Sequence, residues 1–207
     1  MKWTTVLISL LAWTLLLSAP AHADTALLNP NLASQADLEA LQIVDADIAE
    51  AIVAGRPYLS AADLDAALAG GMSEGDREAL YAELFRPINL NTASEAEILL
   101  IPGMSKKMAH EFEEYRPYTS MEQFRREIGK YVDADEVARL EQYVFIPVNL
   151  NSASDAAIMA IPGMTKRMAH EFEEYRPYSD MEQFRREIGK YVDADEVARL
   201  ESYVTLD

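Results

Sequence analysis

The chain contains no cysteine and has few histidines, tryptophans and glycines. The absence of cysteine excludes disulfide bonds, thiolate metal sites and a lipid anchor attached to a cysteine. Positive charge is also scarce, since 18 lysines and arginines stand against 35 aspartates and glutamates. Such an acidic surface repels polyanions at long range, which argues against a general nucleic-acid coat and against binding to anionic lipid. A small basic site remains compatible with it, because salt limits the reach of each charge to about 8 Å.

Residues 1–23 form the one long apolar segment and have the features of an export signal. Lys2 provides a positive start, residues 6–17 are almost entirely apolar, and residues 21–23 read Ala-His-Ala, a small-x-small cleavage pattern. The apolar run is shorter than the ~20 residues that span a membrane. We expect cleavage after Ala23, a mature chain without a membrane span, and a periplasmic or secreted location. An uncleaved anchor is the alternative.

A repeat with a period of 60 residues is the strongest pattern in the chain. Residues 89–144 return at 149–204 with ten differences. A repeat of this length indicates one supersecondary unit used more than once. The differing pairs are Thr92/Ser152, Glu95/Asp155, Glu97/Ala157, Leu99/Met159, Leu100/Ala160, Ser105/Thr165, Lys107/Arg167, Thr119/Ser179, Ser120/Asp180 and Gln142/Ser202.

The repeat also extends towards the start of the chain, in a more divergent form. Asn31-Leu-Ala-Ser aligns with Asn91-Thr-Ala-Ser at the same offset, and Arg-Pro-Tyr recurs at 56–58, 116–118 and 176–178. We therefore expect a short leader followed by three tandem units. The leader is 24–30, the first unit is 31–88, the second unit is 89–148 and the third unit is 149–207.

Within a unit the apolar residues follow helical spacing, and the predicted class is all-α. In the second unit, Ser94 and Glu97 form a capping box that begins a short helix. Ser120 and Asp133 begin the third and fourth helices in the same way, so each unit has four short helices in two hairpins. We expect the units to form separate small bundles or to share cores across short joints such as residues 145–148.

The turn between the first two helices of a unit holds the candidate binding residues. It reads Ile-Pro-Gly-Met-Ser-Lys-Lys at 101–107 and Ile-Pro-Gly-Met-Thr-Lys-Arg at 161–167. Glycine permits a sharp turn, the helix start behind it offers unpaired N–H groups to a phosphate, and two cations add charge-assisted contacts. Plain surface charge or a protein contact is the alternative role of these cations. The candidate DNA-phosphate contacts are Gly103, Ser105, Lys106, Lys107, Gly163, Thr165, Lys166 and Arg167.

The segment Asn-Leu-Asn-Thr-Ala-Ser-x-x-x-Ile-x-x-Ile-Pro-Gly-Met at 89–104 resembles the start of ComEA-type helix-hairpin-helix units. The resemblance covers 89–144 and 149–204 well and 31–84 weakly. It implies tandem hairpins and, as in the best-known members, non-sequence-specific binding of double-stranded DNA during uptake across the envelope. The same fold also serves in a small extrinsic subunit of the oxygen-evolving photosystem, where it binds protein.

The chain departs from that family in charge and in several turns. The second glycine of the family hairpin is Ser105 or Thr165 here, and the second hairpins read Tyr-Val-Asp at 131–133 and 191–193. In the first unit the Pro-Gly turn is Gln42-Ile43, followed by Asp45 and Asp47. After removal of the signal, 17 basic residues oppose 35 acidic ones, a net charge of −18.

Three further patterns have simple structural interpretations. Residues 133–136 hint at a calcium loop, but helix capping explains them better. His110 and its neighbouring glutamates are better read as a solvated i,i+4 pair than as metal ligands. Arg125-Arg126, with its third-unit copy, either extends a phosphate track or forms a solvated helix face balanced by glutamates.

Two hypotheses of function follow from these observations. No nucleophile–base pair, nucleotide-binding loop or carboxylate dyad meets a catalytic pattern, so we expect no enzyme, no metal and no cofactor. The first hypothesis is an exported binding module or scaffold for envelope proteins. The second is binding of double-stranded DNA through phosphate contacts at the hairpins.

Overall fold

The computed structural model describes residues 27–206, so the predicted signal at 1–23 lies outside the described residues. The described part is built from short helices, and the predicted all-α class is confirmed. None of these helices is long and apolar enough to cross a membrane. The helices are α1 (Gln35–Glu39), α2 (Ala46–Ala54), α3 (Ala61–Leu68), α4 (Glu74–Leu80), α5 (Glu95–Ile98), α6 (Lys106–Glu114), α7 (Met121–Ile128), α8 (Ala134–Glu141), α9 (Asp155–Met159), α10 (Lys166–Glu174), α11 (Met181–Ile188) and α12 (Ala194–Glu201).

The helix starts follow the predicted capping residues. Ser94 and Glu97 form a complete capping box at the start of α5. The Ser120 hydroxyl accepts a hydrogen bond from the backbone N–H of Gln123 at 3.1 Å and begins α7. Asp133 caps α8 in the same way, accepting from the N–H of Glu136 at 2.9 Å. Each cap stabilises its helix by about 1 kcal/mol.

Each unit closes on itself through a short parallel strand contact that we did not predict. β1 (Ile88–Asn89) pairs with β2 (Val144–Phe145), and β3 (Val148–Asn149) pairs with β4 (Val204–Thr205). A single bridge between Leu28 and Leu84 takes the same place in the first unit. Strands of two residues are too short to show alternating polarity, so the sequence pattern did not reveal them.

A set of side-chain to backbone hydrogen bonds, here called the Asn–Arg clasp, holds the start of each unit against the turn after its second helix. In the second unit, the Asn91 amide accepts from Tyr118 N at 2.7 Å and donates to Tyr118 O at 2.9 Å. Arg116 donates from Nε to Leu90 O and from Nη2 to Ala93 O, each at 2.6 Å. The clasp explains why Asn and Arg-Pro-Tyr recur together in the sequence. The equivalent pairs are Asn31 with Arg56 and Asn151 with Arg176.

The first and second units share one hydrophobic core, whereas the third unit has its own. In the second unit, Phe112 and Phe124 meet edge to face with ring centroids 5.3 Å apart, and Tyr118 lies 5.9 Å from Phe124. Such aromatic pairs each add about 1 kcal/mol beyond the area that they bury. Both expected arrangements therefore occur in the same chain, a shared core and a separate bundle.

Arg86 joins the three units and is only 1% exposed. Its Nε donates to Tyr58 O of the first unit at 3.2 Å, and its Nη2 donates to Ser202 Oγ of the third unit at 2.8 Å. Its guanidinium also lies over the Tyr203 ring, 4.2 Å from the centroid. Burial lowers the pKa of Arg86 from its ordinary value. The third unit therefore packs back against the first unit through a buried cation.

Replacement of Arg86 is expected to destabilise the folded chain. We predict that Arg86→Ala lowers the free energy of unfolding by about 2 kcal/mol or more, because it leaves buried acceptors without donors. The matched control is Arg126→Ala, whose exposed ion pair with Glu127 is worth at most about 1 kcal/mol. Urea denaturation followed by circular dichroism measures both. Equal losses for the two variants would contradict the role assigned to Arg86.

Candidate binding site at the helical hairpins

The first hairpins of the second and third units turn on a glycine in the left-handed region. Gly103 has φ +74° and Gly163 has φ +76°, and no other residue among those described has a positive φ. Met104 N donates to Ile101 O at 3.0 Å, which tightens the turn ahead of α6. A residue with a Cβ is strained at this φ, so the turns of the second and third units favour glycine at 103 and 163.

The hydroxyl residues after these turns serve as helix caps. Ser105 Oγ accepts from Met108 N at 3.2 Å, and Thr165 Oγ1 accepts from Met168 N at the same distance. The hydroxyl hydrogen of each cap can still donate to an anion. The next two N–H groups, at the first turn of α6 and α10, have no intrahelical acceptor. Both copies therefore have the hydroxyl group and the N–H groups that an anion-binding site needs.

The candidate cations are exposed at both hairpins. Lys106, Lys107 and Lys166 form no ion pair within residues 27–206. Arg167 instead lies over the Tyr191 ring of the second hairpin, 5.9 Å from the centroid. The structure therefore brings the eight predicted residues together as two exposed sets of four, one on each hairpin.

Carboxylates of the first unit stand beside the second unit's hairpin. Gly103 lines a groove of about 300 Å³ together with Asp65, Glu74 and Glu78. Asp65 is paired with Arg77 at 2.8 Å, whereas the two glutamates form no ion pair within the described chain. An incoming phosphate at Gly103 would approach these negative charges, which disfavours its binding.

The third unit's hairpin has a partly exposed apolar side chain of the first unit beside its turn, Leu32, which is 44% exposed. A Cβ built on Gly163 would lie 2.9 Å from Leu32 Cδ2 and 3.3 Å from Arg199 Nη2. Arg199 Nη1 also donates to Pro162 O at 2.7 Å, so the turn is held from two sides. The sequence analysis missed this contact. The available signal was that Leu32 takes the place of a threonine or serine in the other units.

The first unit keeps the hairpin but lacks its binding chemistry. Asp45 is the N-cap of α2 and accepts from Ile48 N at 2.8 Å, so it corresponds to Ser105. Ala46 and Asp47 then stand where the other units carry two cations. The first unit therefore lacks the glycine and the two cations of the other hairpins.

The second hairpins have a different chemistry, built from tyrosines and a buried carboxylate. Glu111 is 7% exposed, and one of its carboxylate oxygens has no hydrogen-bond partner in the described chain. The Tyr115 and Tyr131 hydroxyls are hydrogen-bonded at 2.8 Å. This hydrogen bond and the nearby Glu111 carboxylate raise the pKa of Tyr131. The spacing of residues 104, 108, 111 and 115 would have placed Glu111 on the buried face of α6.

The remaining candidate patterns are explained by ion pairs. Arg125 pairs with Glu141 of α8, and Arg126 pairs with Glu127, as expected for a solvated helix face balanced by glutamates. His110 lies 3.7 Å from Glu114, as the i,i+4 interpretation predicted. Within residues 27–206, no group of three histidines and carboxylates could hold a metal ion.

Comparison with known proteins identifies one motif. The profile of the helix-hairpin-helix motif matches residues 85–140, which include both hairpins of the second unit. This segment therefore carries a helix-hairpin-helix motif, a class that includes nucleic-acid-binding and protein-binding modules. No curated protein and no solved structure matches the chain.

The two glycine turns are expected to respond differently to the same change. Gly103→Ala should cost about 1–2 kcal/mol of stability through its positive φ. Gly163→Ala should cost slightly more, because its Cβ also displaces the end of the Leu32 side chain, which is 44% exposed and can turn aside. Denaturant unfolding of both variants measures the difference. Adding Leu32→Ala should remove the excess cost at Gly163, and Gly70→Ala, in open space, should be near neutral. Equal costs at the two turns in the presence of Leu32 would contradict the contact.

Proposed function

We propose that this chain is an exported, non-enzymatic helix-hairpin-helix protein that binds other envelope proteins as a small scaffold. The observation that carries the proposal is the contact between Leu32 and the Gly163 turn. The sequence of this turn resembles ComEA-type hairpins, for which phosphate contact is expected, whereas here an aliphatic side chain of the same chain lies beside the turn. The turn is thus compatible with protein contact at the position where an anion would bind.

The charge distribution supports the same proposal. The chain has a net charge of −17, and the other hairpin opens onto a groove with Glu74 and Glu78. Proteins that bind DNA without sequence preference depend on phosphate neutralisation for almost all of their affinity. Four exposed cations on an acidic chain neutralise few phosphates. Binding to a protein partner, in contrast, does not require a positively charged surface.

Binding of double-stranded DNA, as in ComEA-type proteins, is the second candidate. It is favoured by Lys106, Lys107 and Lys166, which are exposed and form no ion pair with any residue from 27 to 206, together with the N–H groups of the first helical turn beside them. Such contacts would hold the phosphate backbone and would not read the base sequence.

Duplex binding at several salt concentrations distinguishes the two candidates. The test compares the mature chain with a variant that carries Lys106→Glu, Lys107→Glu, Lys166→Glu and Arg167→Glu. We expect both proteins to bind a labelled duplex equally weakly even at low salt. Phosphate contacts would instead lower the affinity of the wild type by about 0.9 log units per log unit of salt for each contact. That salt dependence, abolished in the variant, would overturn the scaffold proposal.

Export is tested separately from binding. Expression in a bacterial host followed by osmotic shock should release a protein whose amino terminus is Asp24, read by intact mass and terminal sequencing. The matched control changes Ala21 and Ala23 to bulky residues, which should block cleavage. An intact amino terminus in the wild type would contradict the export assignment and leave the binding proposal standing.

A further inference from the structure

A cleft of about 560 Å³ lies between the second and third units. We call it the inter-unit cleft. One wall is the start of α7 with Thr119, Ser120 and Met121, and the opposite wall is Ala157 of α9 with Ala160, the C-cap of that helix. The connecting residues 144–149 form its base. The volume lies within the range of about 300–1,000 Å³ typical of ligand sites.

The lining of this cleft carries no net charge, although the chain is strongly acidic. Its two charged side chains are Arg125 and Glu141, which form an ion pair with each other. The other lining residues are apolar or neutral. A neutral, mainly apolar surface favours an uncharged occupant, because a charged one would lose hydration without gaining a partner.

Four of the ten positions at which the two near-identical copies differ lie in this lining. They are Thr119, Ser120, Ala157 and Ala160, whose counterparts in the other copy are Ser179, Asp180, Glu97 and Leu100. Two of these differences replace a carboxylate by a neutral side chain, and one replaces leucine by alanine. The differences thus make the cleft both neutral and larger than the other copy's residues would leave it.

The junction of the first and second units has a leucine at the position that corresponds to Ala160. There Leu100, two residues after the end of α5, is partly buried against the core that the two units share, and it lines the groove of about 300 Å³ beside Gly103. At the junction of the second and third units the corresponding residue is Ala160, the C-cap of α9, and the cleft is larger. A leucine side chain that lines one junction is therefore replaced by alanine at the other.

We propose that the inter-unit cleft binds a leucine-sized aliphatic side chain presented by a segment of a partner protein. This rests on the proposed function as a protein-binding scaffold and names the surface that receives the partner. The side chain occupies the volume beside Ala160, and burial of its apolar area drives binding. At the rim, the Ser120 hydroxyl, whose oxygen accepts from Gln123 N, has its hydrogen available for the carbonyl of the partner segment.

Methyl NMR on the full mature chain tests the proposal. The probe is N-acetyl-leucine N-methylamide, titrated against protein with labelled alanine and isoleucine methyl groups. We expect saturable shifts at Ala157, Ala160 and Ile161, which line the cleft. A variant with Ala157→Glu and Ala160→Leu should bind at least tenfold more weakly, because a leucine and a carboxylate then occupy the cleft. The second unit carries these same residues at positions 97 and 100, so the fold tolerates them.

Two controls separate loss of the cleft from loss of the fold. The variant with Glu97→Ala and Leu100→Ala makes the reciprocal change outside the cleft and should keep the wild-type affinity at the cleft itself, as read from the shifts of Ala157, Ala160 and Ile161. Ser120→Asp introduces the third unit's residue on the opposite wall and should also weaken binding, while Asp180 shows that the cap geometry tolerates it. Circular dichroism verifies the helical content of each variant.

Each outcome decides the proposal. Absence of saturable shifts in the wild type, or unchanged affinity in the filled variant, would overturn it. Equal affinity for the probe and for 3-methylbutan-1-ol would also overturn it, by indicating a free apolar molecule in place of a partner segment. Failure of the probe leaves the duplex-binding result untouched, so the scaffold function and the cleft are tested independently.

Discussion

The Asn–Arg clasp is the interaction on which the rest of the structure depends. It ties the first loop of a unit to the turn after its second helix through backbone atoms, so the first hairpin is held in place whatever residues form its tip. The first unit demonstrates this independence. It keeps Asn31 and Arg56 in the clasp while its hairpin has lost both the Pro-Gly turn and the cations. Fold and binding chemistry are therefore separable in this protein.

The way the units meet places both hairpins beside side chains of the first unit. Arg86 contacts both the first and the third unit, and Leu32 lies beside the Gly163 turn. The second unit's turn lines a groove that also contains Glu74 and Glu78 of the first unit. The amides and cations of both hairpins are exposed, and the aliphatic and acidic groups beside them are what supports the proposal of a protein partner.

Local features of this structure could be read from the sequence, whereas contacts between units could not. Ser94, Ser120 and Asp133 were recognised as helix starts because a cap involves residues only three positions apart. The residues of the clasp were seen to recur, although their hydrogen bonds were not anticipated. Arg86 and Leu32 act over more than 100 residues of sequence separation. Comparison of the units could have drawn attention to both, since each replaces a residue of a different kind in the other copies. The inter-unit cleft depends on how two units are oriented, and no periodicity within one unit encodes that.

The contact between Leu32 and Gly163 is the most direct test of the account, because it decides whether protein or phosphate occupies the hairpin tip. The measurement is the nuclear Overhauser effect between the Leu32 methyl groups and the Gly163 α protons in the full chain, with and without a short DNA duplex. We predict a clear cross-peak that the duplex leaves unchanged. Loss of the cross-peak on addition of duplex, together with shifts of the Gly163 and Thr165 amides, would contradict the account.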